Sequence, residues 1–302
     1  MNGTVAVARY TLVELSRRRI LLVFFIIGAL GIALIGIGLK VFSSAFNNVV
    51  ISGPTAPDPA KLQRAFELGF VNDLIGALGF FALLIAFGIG MTVIYHDLDS
   101  GAAISIFSKP VSRAAFTIGK VAAAVIAMIA IVGVLSIEAR LMMLFFGTGG
   151  LGEALWIETV AQVANALTVM LLVMALSTWM NNIVAAIVAF VYNTVGGFVV
   201  LLHSQFQAGF LGDNQVLKVG LNIVYWLVPH QLMSDARRQI ALAQFDLFSS
   251  LDTSTPRGQR PSADQIVSSI PGASGAGDII WWVFVVCLFA GLAYYAVRRR
   301  QV

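Results

Sequence analysis

Charged side chains are scarce in this sequence: Asp, Glu, Lys and Arg make up 11% of its 302 residues, while apolar residues make up 59%. A soluble domain carries roughly 25% charged residues, because its surface must be clothed in water. The two soluble domains that length alone would suggest are therefore excluded, and lipid is the expected solvent for most of this surface. Cysteine is nearly absent. The single one, Cys287, lies within an apolar run, which excludes an intrachain disulfide and a cysteine metal cage. The histidines, His96, His203 and His230, are far apart, and no Ser-His-Asp set or pair of carboxylates converges. Met170 and Met174 share a helix face, as a copper(I) site would need, but in so apolar a chain the pair reads as packing. No G-x-x-x-x-G-K-S/T motif occurs; Gly147–Gly152 has no lysine. Basic residues outnumber acidic ones 19 to 15, yet they form no patch interleaved with aromatics, so nucleic acid is not an expected partner. Neither a metal nor a cofactor is expected on this chain.

What the sequence does have is long apolar runs. About 20 apolar residues cross the roughly 30 Å hydrocarbon core as a helix, and six stretches suffice: 20–42, 74–95, 116–145, 155–179, 183–203 and 279–297. The third is longer than needed and should tilt or project. A seventh stretch, Val216–Met233, is interrupted by Lys218, Asn222 and Pro229 and reads as interfacial or re-entrant. The first run exceeds the roughly 7–15 residues of a secretory signal core, and no A-x-A site follows it. Ahead of it, Val5, Ala8, Leu12 and Leu15 recur at helical spacing with Arg9 and Glu14 off the stripe. This predicts an amphipathic helix over 3–19 lying in the membrane interface. The fold class expected is an all-α polytopic membrane protein, one transmembrane domain over residues 1–302. A first outer loop, 43–73, would contain a short amphipathic stretch, Ala60–Phe70. A large outer segment, 204–278, would separate the fifth and sixth spans.

Topology follows from the basic residues. Arg9, Arg17, Arg18 and Arg19 precede the first span; Lys109, Arg113 and Lys120 lie between the second and third; Arg298, Arg299 and Arg300 follow the last. With six spans all of these fall on one side, which the positive-inside rule makes cytoplasmic. A seventh span would put the terminal arginines outside. Both ends are thus expected in the cytoplasm, in a multi-pass protein of the cell membrane.

The segment 96–115 between the second and third spans is short, cytoplasmic and of mixed charge. Asp97 and Asp99 precede a turn at Gly101, Ala102–Phe107 can form a short helix, and Pro110 interrupts it. Such a loop either docks on a soluble partner or merely connects two spans. Its residues Asp97-Leu98-Asp99-Ser100-Gly101-Ala102, Lys109-Pro110-Val111-Ser112-Arg113 and Gly119-Lys120 resemble the first cytoplasmic loop of ABC type-2 permeases. Aspartates stand where that family usually has glutamates, and Ala102 where it often has threonine. The interfacial helix, six spans and large outer segment extend the resemblance over nearly the whole chain.

The resemblance implies the permease half of an ATP-binding-cassette exporter, with ATP bound by a separate ATPase subunit and the permease paired as a homodimer. It implies that the loop couples to that ATPase through Asp97, Asp99, Gly101, Lys109, Pro110, Arg113 and Lys120. Two other classes stay open: a membrane-embedded scaffold or biogenesis factor, and an ion-driven carrier, though no chain of carboxylates crosses the bilayer. Small residues mark helix contacts, since backbones approach closely in lipid where side chains are short. Gly119, Ala123 and Ala127 form one stripe. Ala185, Ala189, Asn193 and Gly197 form another, which either packs within the chain or lines a pathway. Gln162 and Asn165 share a face of the fourth span and should hydrogen-bond to neighbouring helices. Glu138 and Arg140 fall near the outer interface, where an ionisable group costs little.

Overall fold

The computed structural model describes residues 3–47, 59–100, 111–146, 152–208, 214–228, 230–251 and 270–299. Among these there is no strand, and six helices are long and apolar enough to span a membrane. The helices are α1 (Gly3–Ser16), α2 (Arg19–Asn47), α3 (Pro59–Val93), α4 (Tyr95–Asp99), α5 (Arg113–Phe146), α6 (Gly152–Leu176), α7 (Asn182–Gln207), α8 (Gln215–Leu227), α9 (Ala236–Leu251) and α10 (Ala276–Arg299). The chain is an all-α polytopic membrane protein.

The interior is built around α3 and α6, the most extensively packed pair. Buried residues make up 61% of the apolar window of α6 and 56% of that of α3, against 22% for both α2 and α10. Helices at the rim therefore keep broad apolar faces turned outward, including Leu22, Leu30 and Leu34 of α2 and Ile187, Phe190 and Phe198 of α7. Such faces would be a liability in water and are the normal surface of a protein in lipid. The contact of α3 with α6 is close because of Gly90. A Cβ there would lie 2.8 Å from Val173 Cβ and 2.9 Å from the Met170 carbonyl, so only glycine lets the two backbones meet.

Three boundaries differ from expectation. The stretch Ala60–Phe70 is not a separate outer helix; it runs unbroken into the second span, making α3 one helix of 35 residues. No proline interrupts 60–93, so nothing in the backbone forces a break. The interfacial helix stops at Ser16, three residues short of the expected end. Within the large outer segment the chain forms two helices, α8 and α9. At about 1.5 Å per residue, the 13 residues of α8 are too short to cross a bilayer. None of them is buried, and Val216, Val219, Ile223 and Leu227 leave an apolar stripe facing the surroundings.

Turns are closed locally. Ser112 caps α5, its hydroxyl accepting from the Ala115 amide at 3.1 Å. Asn181 caps α7 through the Ile183 amide, a bond that satisfies one of the unpaired donors at a helix start. Ser177 and Thr178 donate to the Met174 and Ala175 carbonyls at the end of α6. The tight 177–181 turn thereby leaves few polar groups of the backbone unpaired.

Candidate functional site

Two polar constellations stand out against the apolar body. The first is at the end of the bundle where Arg18, Arg19, Arg113, Arg298 and Arg299 gather. Lys120, on α5, is completely buried, and its Nζ lies 2.6 Å from Asp97 Oδ2 and 3.2 Å from Glu14 Oε2. Asp97, on α4, is itself only 1% exposed. Glu14 also pairs with Arg18 one turn further along. The rings of Tyr10 and Phe116 lie 5.6 and 5.8 Å from the ammonium, where aromatic faces attract a cation. One lysine thus ties together α1, α4 and the start of α5.

These contacts shift the groups around the lysine. Burial pushes the Glu14 carboxyl up, but its hydrogen bond to Arg18 and the nearby Lys120 charge outweigh that and hold it below the usual value. Tyr10 is pushed up by burial and by the negative charges of Glu14 and Asp97. An open cavity of about 470 Å³ adjoins the network, lined by Tyr10, Glu14, Arg18, Arg19, His96 and Asp97 among others.

This arrangement separates the loop residues singled out in the sequence. Asp97 and Lys120 turn inward and present no surface to a partner. Arg113 turns to α10, Nη1 donating to the Arg298 carbonyl at 2.6 Å, a cation at a helix C-terminus as the helix dipole favours. Asp99 is exposed, beside exposed His96 and Ser100. Gly101, Lys109 and Pro110 lie outside the described residues. The role of Glu14 was not legible in the sequence, where it appeared only as a charge off the apolar stripe; its partner Lys120 is 106 residues away.

The second constellation lies in the other half of the bundle. The irregular segment 230–234 between α8 and α9 is held between α6 and α7 by carboxamides. Asn165 donates to the Leu232 carbonyl and accepts from its amide, both at 2.8 Å, imitating a strand pair. Gln231 donates to the carbonyl and side-chain oxygens of Asn193. Glu158 receives the Ser234 hydroxyl and, at 3.1 Å, Arg237 Nε. The flank of this segment is fixed by His230, whose Nδ1 faces the Tyr225 carbonyl at 2.9 Å and whose Nε2 faces Asp278 at 3.1 Å.

Between α3, α6, α7 and this segment is a cavity of about 240 Å³, lined by Gly76, Gly79, Phe80, Gln162, Asn193 and Gln231 among others. Gln162 bonds to a neighbouring helix as the sequence suggested, reaching the Ile75 carbonyl of α3 at 2.8 Å, whereas Asn165 bonds to the irregular 230–234 segment rather than to a helix. The stripe on α7 faces its own chain: Ala185 and Ala189 are fully buried, and Asn193 and Gly197 meet Gln231. Gly119 packs in the same way against α1, and Met170 and Met174 are buried in the core. Among the described residues no group of three or more His, Cys, Asp or Glu is placed to hold a metal ion. No family model and no curated protein matches the chain.

Proposed function

We propose that this chain is the permease subunit of an ATP-binding-cassette exporter, homodimeric in the cell membrane, with both ends in the cytoplasm and a separate ATPase as its energy source. The observation that supports this reading best is the buried Asp97–Lys120–Glu14 network. It joins Asp97, at the start of the 96–115 loop, to the interfacial helix through Glu14 and to the third span through Lys120. Separating the buried ammonium from the buried Asp97 carboxylate would leave Asp97 charged without its partner, so the pairing resists being pulled apart. A displacement imposed on the loop is therefore delivered to α1, α4 and α5 together. Movement of packed helices as units is how a small local push becomes an alternative membrane conformation. ATP binding by the partner would bias the equilibrium between two such conformations.

Among the described residues of the 96–115 loop, exposed His96, Asp99 and Ser100 are available for the ATPase to touch. Purification of the tagged chain from its native membrane should bring down an ATPase near one to one. Asp99→Lys should weaken that association at least tenfold while leaving thermal stability unchanged. A purified chain that moves substrate in vesicles with no ATPase present, or that recovers no ATPase from native membranes, overturns the reading.

A further inference from the structure

Helix α8 carries an apolar face that the six spans do not account for. Val216 and Leu227 are 81% and 75% exposed, and Val219 and Ile223 are more than half exposed. At 3.6 residues per turn these four fall on one side of the helix. Leu221 and Tyr225, both partly buried, fall on the opposite side, and the Tyr225 ring stacks on His203 of α7 at 4.2 Å. Lys218 and Asn222 share that polar flank. The apolar face is therefore turned away from the bundle, toward whatever surrounds it.

Two contacts of Tyr225 fix the level at which it does so. Its partner His203 follows the first residue of α7, Asn182, by 21 positions, and by alternation of the spans α7 starts on the side of the basic end. Its hydroxyl donates to Asp278 of α10 at 2.9 Å, and Asp278 precedes Arg298 at the basic end by 20 positions. At about 1.5 Å per residue either helix places Tyr225 roughly 30 Å from the basic end, which is the thickness of the hydrocarbon core. Tyr225 thus marks the far edge of the hydrocarbon. Trp226, partly exposed and packed beside Gly277 at the start of α10, is a residue type that collects at such an edge.

We propose that α8 is a monotopic anchor in the leaflet opposite the basic end, its occupant the acyl chains at the boundary with the headgroups. Val216, Val219, Ile223 and Leu227 lie in the acyl chains, and Lys218 and Asn222 turn away from them. At the same level α7 itself turns Phe198 and Leu201 outward, so α8 adjoins a surface that lipid already covers. Lys218 is the one charged residue on the helix, so apolar burial and not attraction to anionic headgroups carries the binding. The anchor needs only the six spans and stands whether or not an ATPase partners the chain.

The full chain, with Ile223→Cys, Val219→Cys or Lys218→Cys in a Cys287→Ala background, should be labelled with bimane and placed in phosphatidylcholine nanodiscs. All three positions are exposed, so the labelled proteins should melt like the parent. Phosphatidylcholine brominated near the headgroup end of its acyl chains should quench the label at 223 and at 219 at least threefold more than the label at 218. Aqueous iodide should show the reverse order by a similar factor. Iodide quenching at 223 as strong as at 218 would mean that α8 projects into water, and the proposal fails. It fails equally if the label at 223 is shielded from both quenchers, since protein then covers the face. Discs holding a single chain would separate a second copy, whose loss unmasks the label, from a segment of the same chain, which keeps it shielded.

Discussion

Lys120 is the residue on which the largest single energetic effect should fall. Its ammonium is wholly buried, and two carboxylates, Asp97 and Glu14, are arranged around it. Breaking a buried pair by removing one partner costs roughly 3–5 kcal/mol, because the other charge stays buried without compensation. Lys120→Met should lower stability by about that amount, and Asp97→Asn by a comparable one. The double variant should lose clearly less than the sum, since the second change removes the charge that the first had orphaned. Thermal unfolding of the four proteins in detergent measures this; strictly additive losses would show that the two side chains do not act on each other. Glu14 adds a pH dependence of definite sign. Its folded pKa lies below the usual glutamate value, so the carboxylate contributes stability that is complete above about pH 4.5. As pH falls through the lower folded value, that contribution is lost. Unfolding temperatures of the parent should therefore fall on acidification below pH about 4.5 more steeply than those of Glu14→Gln, which has nothing to protonate there. Parallel curves for the two proteins would remove Glu14 from the account.

Among the elements, α1 is the one whose attachment can be tested most directly, because it rests on Gly119. A Cβ at that position would lie 2.8 Å from the Thr4 carbonyl and 2.9 Å from Val7 Cβ. Alanine gains about 1 kcal/mol over glycine in a helix interior, whereas forcing a side chain into a packed contact costs roughly 1–3 kcal/mol. The clash involves a backbone carbonyl that cannot swing aside, so it should win. Gly119→Ala is expected to destabilise the protein and to speed hydrogen exchange in α1 specifically. Gly133→Ala is the control, on the same helix but with nothing within 4 Å, and should be neutral or mildly stabilising. If both variants behave alike, the close approach of α1 is not what matters at Gly119. The stripe of Gly119, Ala123 and Ala127 was visible in the sequence, but its partner was not, because small residues say that a backbone comes near without saying whose. The spans themselves were legible, since each is decided by the composition of some twenty consecutive residues. Less legible was the continuity of α3: Ala60–Phe70 reads as amphipathic and polar, and only the lack of a breaker hinted that it joins the apolar run. The clamp on Leu232 was out of reach altogether. Asn165 lies 67 residues away, and an asparagine in an apolar helix announces a hydrogen bond, not its recipient.

At the scale of the whole molecule, the arrangement with α3 and α6 inside and α2, α7 and α10 at the rim makes a claim about topology. Six crossings put the basic ends of the first, third and last spans on one side, and Arg113 at the start of α5, bonded to the end of α10, brings the last two together in space. The alternative of seven crossings would need α8 to span. Its 13 residues reach about 20 Å at 1.5 Å per residue, well short of the roughly 30 Å of hydrocarbon. On the proposed reading, positive-inside bias places the basic end in the cytoplasm. Single cysteines placed in a Cys287→Ala background test this with a membrane-impermeant maleimide applied to intact cells and to inverted vesicles. Cysteine in place of exposed Ser16, Asp99 or Arg299 should react only in inverted vesicles, and cysteine in place of exposed Gln215 only in intact cells. The native Cys287, exposed on α10 well inside its apolar run, should stay unreactive in both, because an impermeant reagent does not enter lipid. Labelling of the Arg299 position from outside together with the Ser16 position from inside would mean an odd number of crossings. The shared basic end, and with it the cytoplasmic coupling face, would then have to be abandoned.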